Sequence, residues 1–465
     1  MYAKVDAAAI AALEAIVGPE YVISDRERLE PYSHDETLGL QAWPEVVVKP
    51  ITAAEVSAIL MLANAREIPV TPRAGGYGLS GGSVALRGGI VLSVERMNRI
   101  LEIDHANLMA TLEPGVFTGD LHRAVEAEGL LYPPDPASAD SCCIGGNVAE
   151  SAGGPRAVKY GTTKDYVVGL EVVLPSGEII KLGGKMVKNV AGYNLIQLIV
   201  GSEGTLGVVT KIVVRLVPLP TAQIDLLVPY GDFQAAADTV ADIIAHNIVP
   251  TALEFMEREC VKASERLLGK EVPFSDAAAH LLIQITGRRA EDLEGDLDEV
   301  GELCLQHGAL DVLVAQDRPT RDRLWEARRV IIEAFKKESP VSLTEDVSVP
   351  RAQIPALLRG IHASADRIGI TAYAFGHAGD GNVHVQFLRK DLSQDEWQER
   401  LPKARRELYA LALSLGGTIT GEHGVGSTRS RYLADAVGQT AVDLMRSIKQ
   451  VFDPKGILNP GKIFA

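Results

Sequence analysis

The 465 residues carry 46 basic and 61 acidic side chains, a formal net charge of -15, which excludes the clustered positive charge that binding to nucleic acid or to an anionic membrane draws on. A chain of this length exceeds what one hydrophobic core usually supports, so two domains are expected, with room to bury a large cofactor.

No charged-then-apolar leader opens the chain and no run of about 18 apolar residues occurs, so cytoplasmic residence is expected, with any tie to the inner membrane made through a partner. Residues 1–35 read as helical, with Ile10, Leu13, Ile16 and Val17 on one recurring face and an end near Pro31. A strand at 46–48, a helix at 53–66 and a strand at 68–71 follow. Between 73 and 220 the chain is rich in glycine and short β-branched runs, such as 89–94 and 167–174, which suits an α+β domain with many tight turns. The adjacent Cys142 and Cys143, with Cys260 and Cys304, show no Cys-x-x-Cys spacing. Neither a disulfide framework nor an iron–sulfur site is expected, and the pair reads as packed thiols. The prolines of 216–220 mark a boundary. Beyond it, helices at 232–246, 290–307 and 353–368 alternate with strands at 281–286 and 372–375, a second, α/β-type domain. A helix at 441–452 and an extended end at 453–462 complete the chain. The expected domains are thus 1–220, 221–424 and a returning segment, 425–465.

Gly76-Tyr-Gly-Leu-Ser-Gly81 matches G-x-G-x-x-G, but a Rossmann nucleotide site needs a helix to begin at that loop, and here the chain runs on into a strand. A glycine loop between strands still lets backbone N–H groups surround a pyrophosphate, with Arg73 and Ser80 adding charge and a hydroxyl. Further small-residue loops at 133–136, 145–147, 152–154, 161–163 and 201–207 fall in the same half. So much close-approach backbone implies a long bound ligand.

Residues 376–384, Gly-His-Ala-Gly-Asp-Gly-Asn-Val-His, and 421–424, Gly-Glu-His-Gly, carry the remaining chemistry. Asp380-Gly381 favours a two-residue type I′ hairpin between strands at 370–375 and 383–388, which pairs Gly379 with Asn382, Ala378 with Val383, and His377 with His384. Opposed residues share a face, so both rings reach one divalent cation. Four protein ligands would close such a site, whereas three leave room for substrate, so His377, His384 and Glu422 are taken as ligands and His423 as a general base. In 324–335, Arg328 lies on the apolar stripe of a helix and Arg329 does not; a buried arginine needs a partner.

The segments Pro72–Gly82, Lys159–Asp165, Lys188–Tyr193, Gly201–Gly207 and Asn459–Lys462 resemble those of the FAD-linked oxidases of the vanillyl-alcohol-oxidase superfamily, and within it the D-2-hydroxy-acid dehydrogenases, including D-lactate dehydrogenases and the catalytic subunit of bacterial glycolate oxidase. The resemblance covers nearly the whole chain. It implies a two-domain α+β fold, with a flavin domain built from the N-terminal half plus the tail and an α/β substrate-cap domain between. It implies non-covalent FAD, since covalent members carry a histidine in the pyrophosphate loop and 74–82 contains none. Flavin contacts are implied for Arg73, Ala74, Gly75, Gly76, Tyr77, Gly78, Leu79, Ser80, Pro136, Gly145, Gly146, Asn147, Ser151, Gly154, Gly161, Thr162, Glu203, Gly207, Val208 and Asn459. The same resemblance makes His377, His384 and Glu422 ligands of one divalent ion (zinc, manganese or iron), His423 the base, and Arg328 the cation for a substrate carboxylate. Relatives acting on D-2-hydroxyglutarate have a lysine where this chain has Thr344 or Glu345, so a small monocarboxylate is favoured, D-lactate above others.

The expected chemistry is metal-assisted removal of the hydroxyl proton by His423 with hydride transfer to the flavin. No cysteine cluster carries electrons onward, so an acceptor such as electron-transfer flavoprotein or an iron–sulfur subunit is implied; a homodimer is allowed. The rival readings are a glycolate or D-2-hydroxyglutarate dehydrogenase and a non-catalytic FAD-carrying subunit, which should lack the metal cluster.

Overall fold

The computed structural model describes residues 2–315 and 317–464. They divide into two compact units: the first takes the chain up to Gly153, Thr162–Leu219 and everything from Glu422 onward, the second Gly154–Gly161 and Pro220–Gly421. Against boundaries expected after 220 and 424, the chain crosses after Leu219 and Gly421, and the segment 154–161, expected in the flavin domain, belongs to the second unit.

In the first unit, Val46–Val48, Ile90–Ser93 and Val70–Arg73 pair in parallel, with Val22–Ile23 antiparallel at one edge. The helix Ala53–Arg66, capped by Thr52, buries Val56, Ile59, Leu60 and Ala63 at i, i+3, i+4 and i+7 into the core of this sheet. The returning tail adds Ile457 and Leu458 to the same core, and Leu458 makes a parallel bridge with Val70. A second, five-stranded antiparallel sheet runs in the order Ile100–Asp104, Met109–Leu112, Val208–Arg215, Val167–Val173, Ile179–Gly183. The expectation of helix throughout 1–35 fails. Only Ala7–Val17 forms a long helix, because Gly18 (φ 93°) and Pro19 stop it, and a 3-10 turn, the edge strand and a one-turn helix follow. From Val70–Arg73 the chain turns through the glycine loop to Ile90–Ser93 with no helix between, so the reading against a Rossmann loop holds.

The second unit is built on one seven-stranded sheet, antiparallel throughout, in the order Leu313–Ala315, Ala222–Tyr230, Ala279–Gly287, Ala252–Glu257, Thr371–His377, Asn382–Leu388, Ser342–Ser348. One face carries Leu227, Met256, Leu282 and Phe375 against the helices Arg258–Leu268, Arg318–Arg329 and Ile331–Glu338. The stretch 324–335 is therefore two helices broken at Val330 rather than one. Ile354–Ile368 begins with Pro355 in its first turn, where a missing N–H costs nothing, and ends at Gly369 in the left-handed region.

The hairpin register differs from the expected one. His377 pairs with Asn382, Gly376 with Val383 and Phe375 with His384, leaving the four residues 378–381 as the loop. The N–H groups of Asp380 and Gly381 both point at His377 O (3.3 and 3.1 Å), and Asp380 Oδ1 accepts the Asn382 N–H at 3.0 Å. Gly381 adopts φ 90°, and a Cβ there would lie 2.0 Å from Val349 O. Local Asp side-chain bonding thus selects a longer turn than the dipeptide alone favours.

Candidate active site

The register difference leaves the two histidines diagonal rather than opposite, yet still on one face, since His384 stands two residues beyond the partner of His377. Their rings are long enough to meet: Nε2 to Nε2 is 3.4 Å, with the ring planes at 85°. Both are buried. Two nitrogens bound to one tetrahedral ion at about 2.0–2.1 Å would sit about 3.4 Å apart, so the pair fits a divalent metal.

His377 is oriented from behind. Its Nδ1 lies 2.6 Å from Glu254 Oε1, a residue directly opposite it in the sheet and fully buried. The other carboxylate oxygen, Oε2, lies 2.7 Å from Arg328 Nη2, on the helix Arg318–Arg329. Arg328 is buried as the stripe predicts, its guanidinium 4.9 Å from the centre of the Phe375 ring, which in turn lies 5.2 Å from the His384 ring. Arg328, Glu254, His377, His384 and Phe375 close a ring of contacts inside the second unit. A buried carboxylate and guanidinium are tolerable only when paired. The buried Nε of Arg328 has no hydrogen-bond partner among the described residues, a donor suited to an anionic ligand. Sequence reasoning missed Glu254. The signal available was a carboxylate in the interior of the strand-like run Ala-Leu-Glu-Phe-Met-Glu, three residues before the Glu257 that ends it.

At the other flank of the histidines, Asp346 stands opposite His384 and accepts the Gly421 N–H at 2.5 Å and the Thr420 hydroxyl at 3.1 Å. It fixes the last residues of the second unit, and Glu422 follows by one peptide bond. Of the two residues weighed for substrate choice, Thr344 donates to Gln386 Oε1 at 2.6 Å and Glu345 is taken up by Tyr409 and Arg405.

In the first unit, His423 Nε2 lies 3.5 Å from Glu422 Oε1. The segment after it is held by Glu203, whose carboxylate accepts the N–H groups of Val425 (2.8 Å) and Gly426 (2.7 Å), and by the buried Arg429, which donates to Gly424 O. Glu150, also missed by sequence reasoning, completes this cluster. Burial, then the neighbouring Glu203, push its carboxyl well above the usual carboxylate range. Gly424 is obligatory here: its φ is 78° and a Cβ would lie 2.1 Å from Glu150 Oε2.

The residues expected to contact flavin are placed as follows. Arg73 spends its guanidinium on the carbonyls of Pro31 and His34 and on Ser83, so it shapes the loop Ala74, Gly75, Gly76, Tyr77, Gly78, Leu79 and Ser80 from behind. Pro136 lies in the loop ahead of the helix Ile144–Glu150, which contains Gly145, Gly146 and Asn147 and ends at Ser151 in the left-handed region. Thr162 caps a one-turn helix. Gly207 immediately precedes the central strand Val208–Arg215, and a Cβ on it would lie 2.4 Å from Val172. Asn459 Nδ2 ties two of these loops together, donating to Gly82 O (2.9 Å) and Glu203 O (2.7 Å). Gly154 and Gly161 alone fall in the second unit. Buried Ser80 Oγ, Ser151 Oγ and Asn459 Oδ1 have no hydrogen-bond partner among the described residues, which fits loops shaped to hold a large polar cofactor. Cys143 is a buried free thiol whose pKa burial pushes up to about 12, and Cys142 beside it is half-buried.

Comparison with known proteins bears on this arrangement. Residues 44–183 match the FAD binding domain family, and residues 219–463 match the family of FAD linked oxidases, C-terminal domain. The chain is 44% identical to the glycolate oxidase subunit GlcD of Bacillus subtilis (strain 168), over 97% of this chain and 95% of that one. It is 40% identical to the D-lactate dehydrogenase of Anaerostipes hadrus, over 96% and 95%. Among solved structures, p-cresol methylhydroxylase with substrate bound superposes with a TM-score of 0.80 at 18% identity, covering 98% of this chain and 96% of that one, a likeness of fold.

Proposed function

Because this chain belongs to the FAD-linked oxidases, we propose that it oxidises a small D-2-hydroxy acid, D-lactate above others, to the 2-oxo acid. The observation that carries this reading is the buried circuit of the second unit, in which two imidazoles 3.4 Å apart stand beside an arginine paired to a buried carboxylate. His377, His384 and Glu422 are the residues that would hold a divalent ion, and Arg328 would bind the substrate carboxylate. When bound, the ion would supply Lewis-acid chemistry at the substrate hydroxyl and FAD would supply the hydride acceptor. His423 takes the hydroxyl proton, an assignment supported by a ring nitrogen beside the proposed ligand Glu422. Thr344, neutral and bonded to Gln386, offers no cation for a second carboxylate, which supports a monocarboxylate over D-2-hydroxyglutarate. Electrons leave to a protein acceptor, an electron-transfer flavoprotein or an iron–sulfur subunit; that a 44% identical relative is named as a subunit supports a partner. The same relative makes glycolate the second reading.

The test is the visible flavin absorbance of the purified protein under anaerobic conditions, with D-lactate, L-lactate and glycolate added in turn. Bleaching by D-lactate and not L-lactate is expected, and a His423→Ala variant should keep its flavin while bleaching at least about 100-fold more slowly. Bleaching by glycolate alone moves the substrate; a wild-type spectrum indifferent to all three sinks the dehydrogenase reading, and an unslowed His423→Ala sinks the base.

A further inference from the structure

We propose that Glu254 is a positioning residue that couples the proposed metal ligand His377 to the carboxylate-binding Arg328, so that each is set in place by the other. The inference rests on the site reading just given and adds a residue outside its ligand set. Three observations carry it. Glu254 is fully buried, on the central strand Ala252–Glu257, and lies directly opposite His377, so sheet register rather than side-chain flexibility sets their approach. Its two oxygens are divided, Oε1 at 2.6 Å from His377 Nδ1 and Oε2 at 2.7 Å from Arg328 Nη2. And the ring of contacts closes on the far side through Phe375, which touches both the guanidinium and the His384 ring.

A carboxylate accepting from Nδ1 requires the proton there, which makes Nε2, 3.4 Å from His384 Nε2, the nitrogen that would ligate an ion. The same carboxylate holds the guanidinium over Phe375 with its Nε buried and open to an anion. A movement of either partner must pass through one rigid group of three atoms. Arg328, which touches no proposed ligand directly, is therefore expected to influence metal affinity, and Glu254, which touches neither ion nor substrate, to influence both.

The experiment is Mn²⁺ binding to the flavin-loaded protein by equilibrium dialysis, with kcat and KM for D-lactate measured alongside. The variants are Glu254→Gln, Arg328→Lys, their combination, and His384→Ala as the loss-of-ligand reference. Glu254→Gln is expected to weaken Mn²⁺ by about 10–100-fold and to raise KM more than it lowers kcat. Arg328→Lys is expected to weaken Mn²⁺ several-fold by itself and not further in the Glu254→Gln background. Wild-type Mn²⁺ affinity in Glu254→Gln, with His384→Ala deficient, overturns the positioning role and leaves the site reading intact. Wild-type affinity in His384→Ala overturns the ligand set and this inference with it. Should Glu254→Gln not fold, the ¹⁵N-histidine spectrum of the wild type decides: a hydrogen-bonded Nδ1–H signal lost in His377→Gln is expected, and its absence overturns the proposal.

Discussion

At the scale of single residues, the site depends on a few atoms that tolerate no displacement. Gly424 shows this most directly. With φ 78° and Glu150 Oε2 only 2.1 Å from where a Cβ would stand, Gly424→Ala must shift either the Glu150 carboxyl or the segment that begins at His423. The expected result is a loss of about 1–3 kcal/mol in urea unfolding, with a fall in kcat larger than any change in KM because the displaced side chain is the proposed base. Unchanged kcat alongside the stability loss would separate His423 from the strained turn. The residues that sequence reasoning found and missed divide along the same line. His377, His384, Glu422, His423 and Arg328 stand in short motifs or on a periodic stripe. Glu254 and Glu150 are single acids in apolar or small-residue runs, and only pairing partners distant in sequence give them meaning.

At the scale of elements, the helix Ala53–Arg66 and the strands flanking it were legible because caps and periodicity agree there. The hairpin was legible in place but not in register, since Asp380 and the backbone of His377 build a longer turn than Asp-Gly predicts. The N-terminal helix was overextended because the Gly18-Pro19 stop was weighed less than the apolar spacing. One tie between elements is open to test by pH. His362, on the helix Ile354–Ile368, lies 2.7 Å from Glu257 Oε1, whose other oxygen accepts the Ala374 N–H of the strand that carries His377. The hydrogen bond to Glu257 raises His362 above its usual 6.5. A raised folded-state pKa contributes stability that is fully present below the unfolded value and is lost as pH rises through the folded one. The melting-temperature advantage of wild type over His362→Phe should therefore be larger near about pH 5.5 than near about pH 8.5. An advantage independent of pH would assign the contact to packing alone.

At the scale of the whole molecule, the returning tail is part of the first unit's core rather than an appendage. Asn459 holds the glycine loop and the 201–207 loop together through Gly82 O and Glu203 O, its own N–H bonds Val70 O at 2.7 Å, and Lys462 reaches Val84 O. Asn459→Ala leaves two carbonyls without this donor, at about 1–3 kcal/mol each if they stay dry, and retained flavin after gel filtration should fall with it. Full flavin retention in that variant would detach the tail from cofactor binding. No described helix is long and apolar enough to cross a membrane.

The chain passes between its two units four times, after Gly153, Gly161, Leu219 and Gly421. The second unit is therefore not one continuous stretch of gene: residues 220–421 exchanged between relatives as a cassette would arrive without 154–161, whose Lys159 donates to Thr286 O and whose Val158 packs beside Gly379 at the hairpin turn. A chimera that keeps the recipient's octapeptide inherits a mismatched patch next to the histidines. An exchange of the second unit between relatives therefore needs both of its pieces, 154–161 and 220–421.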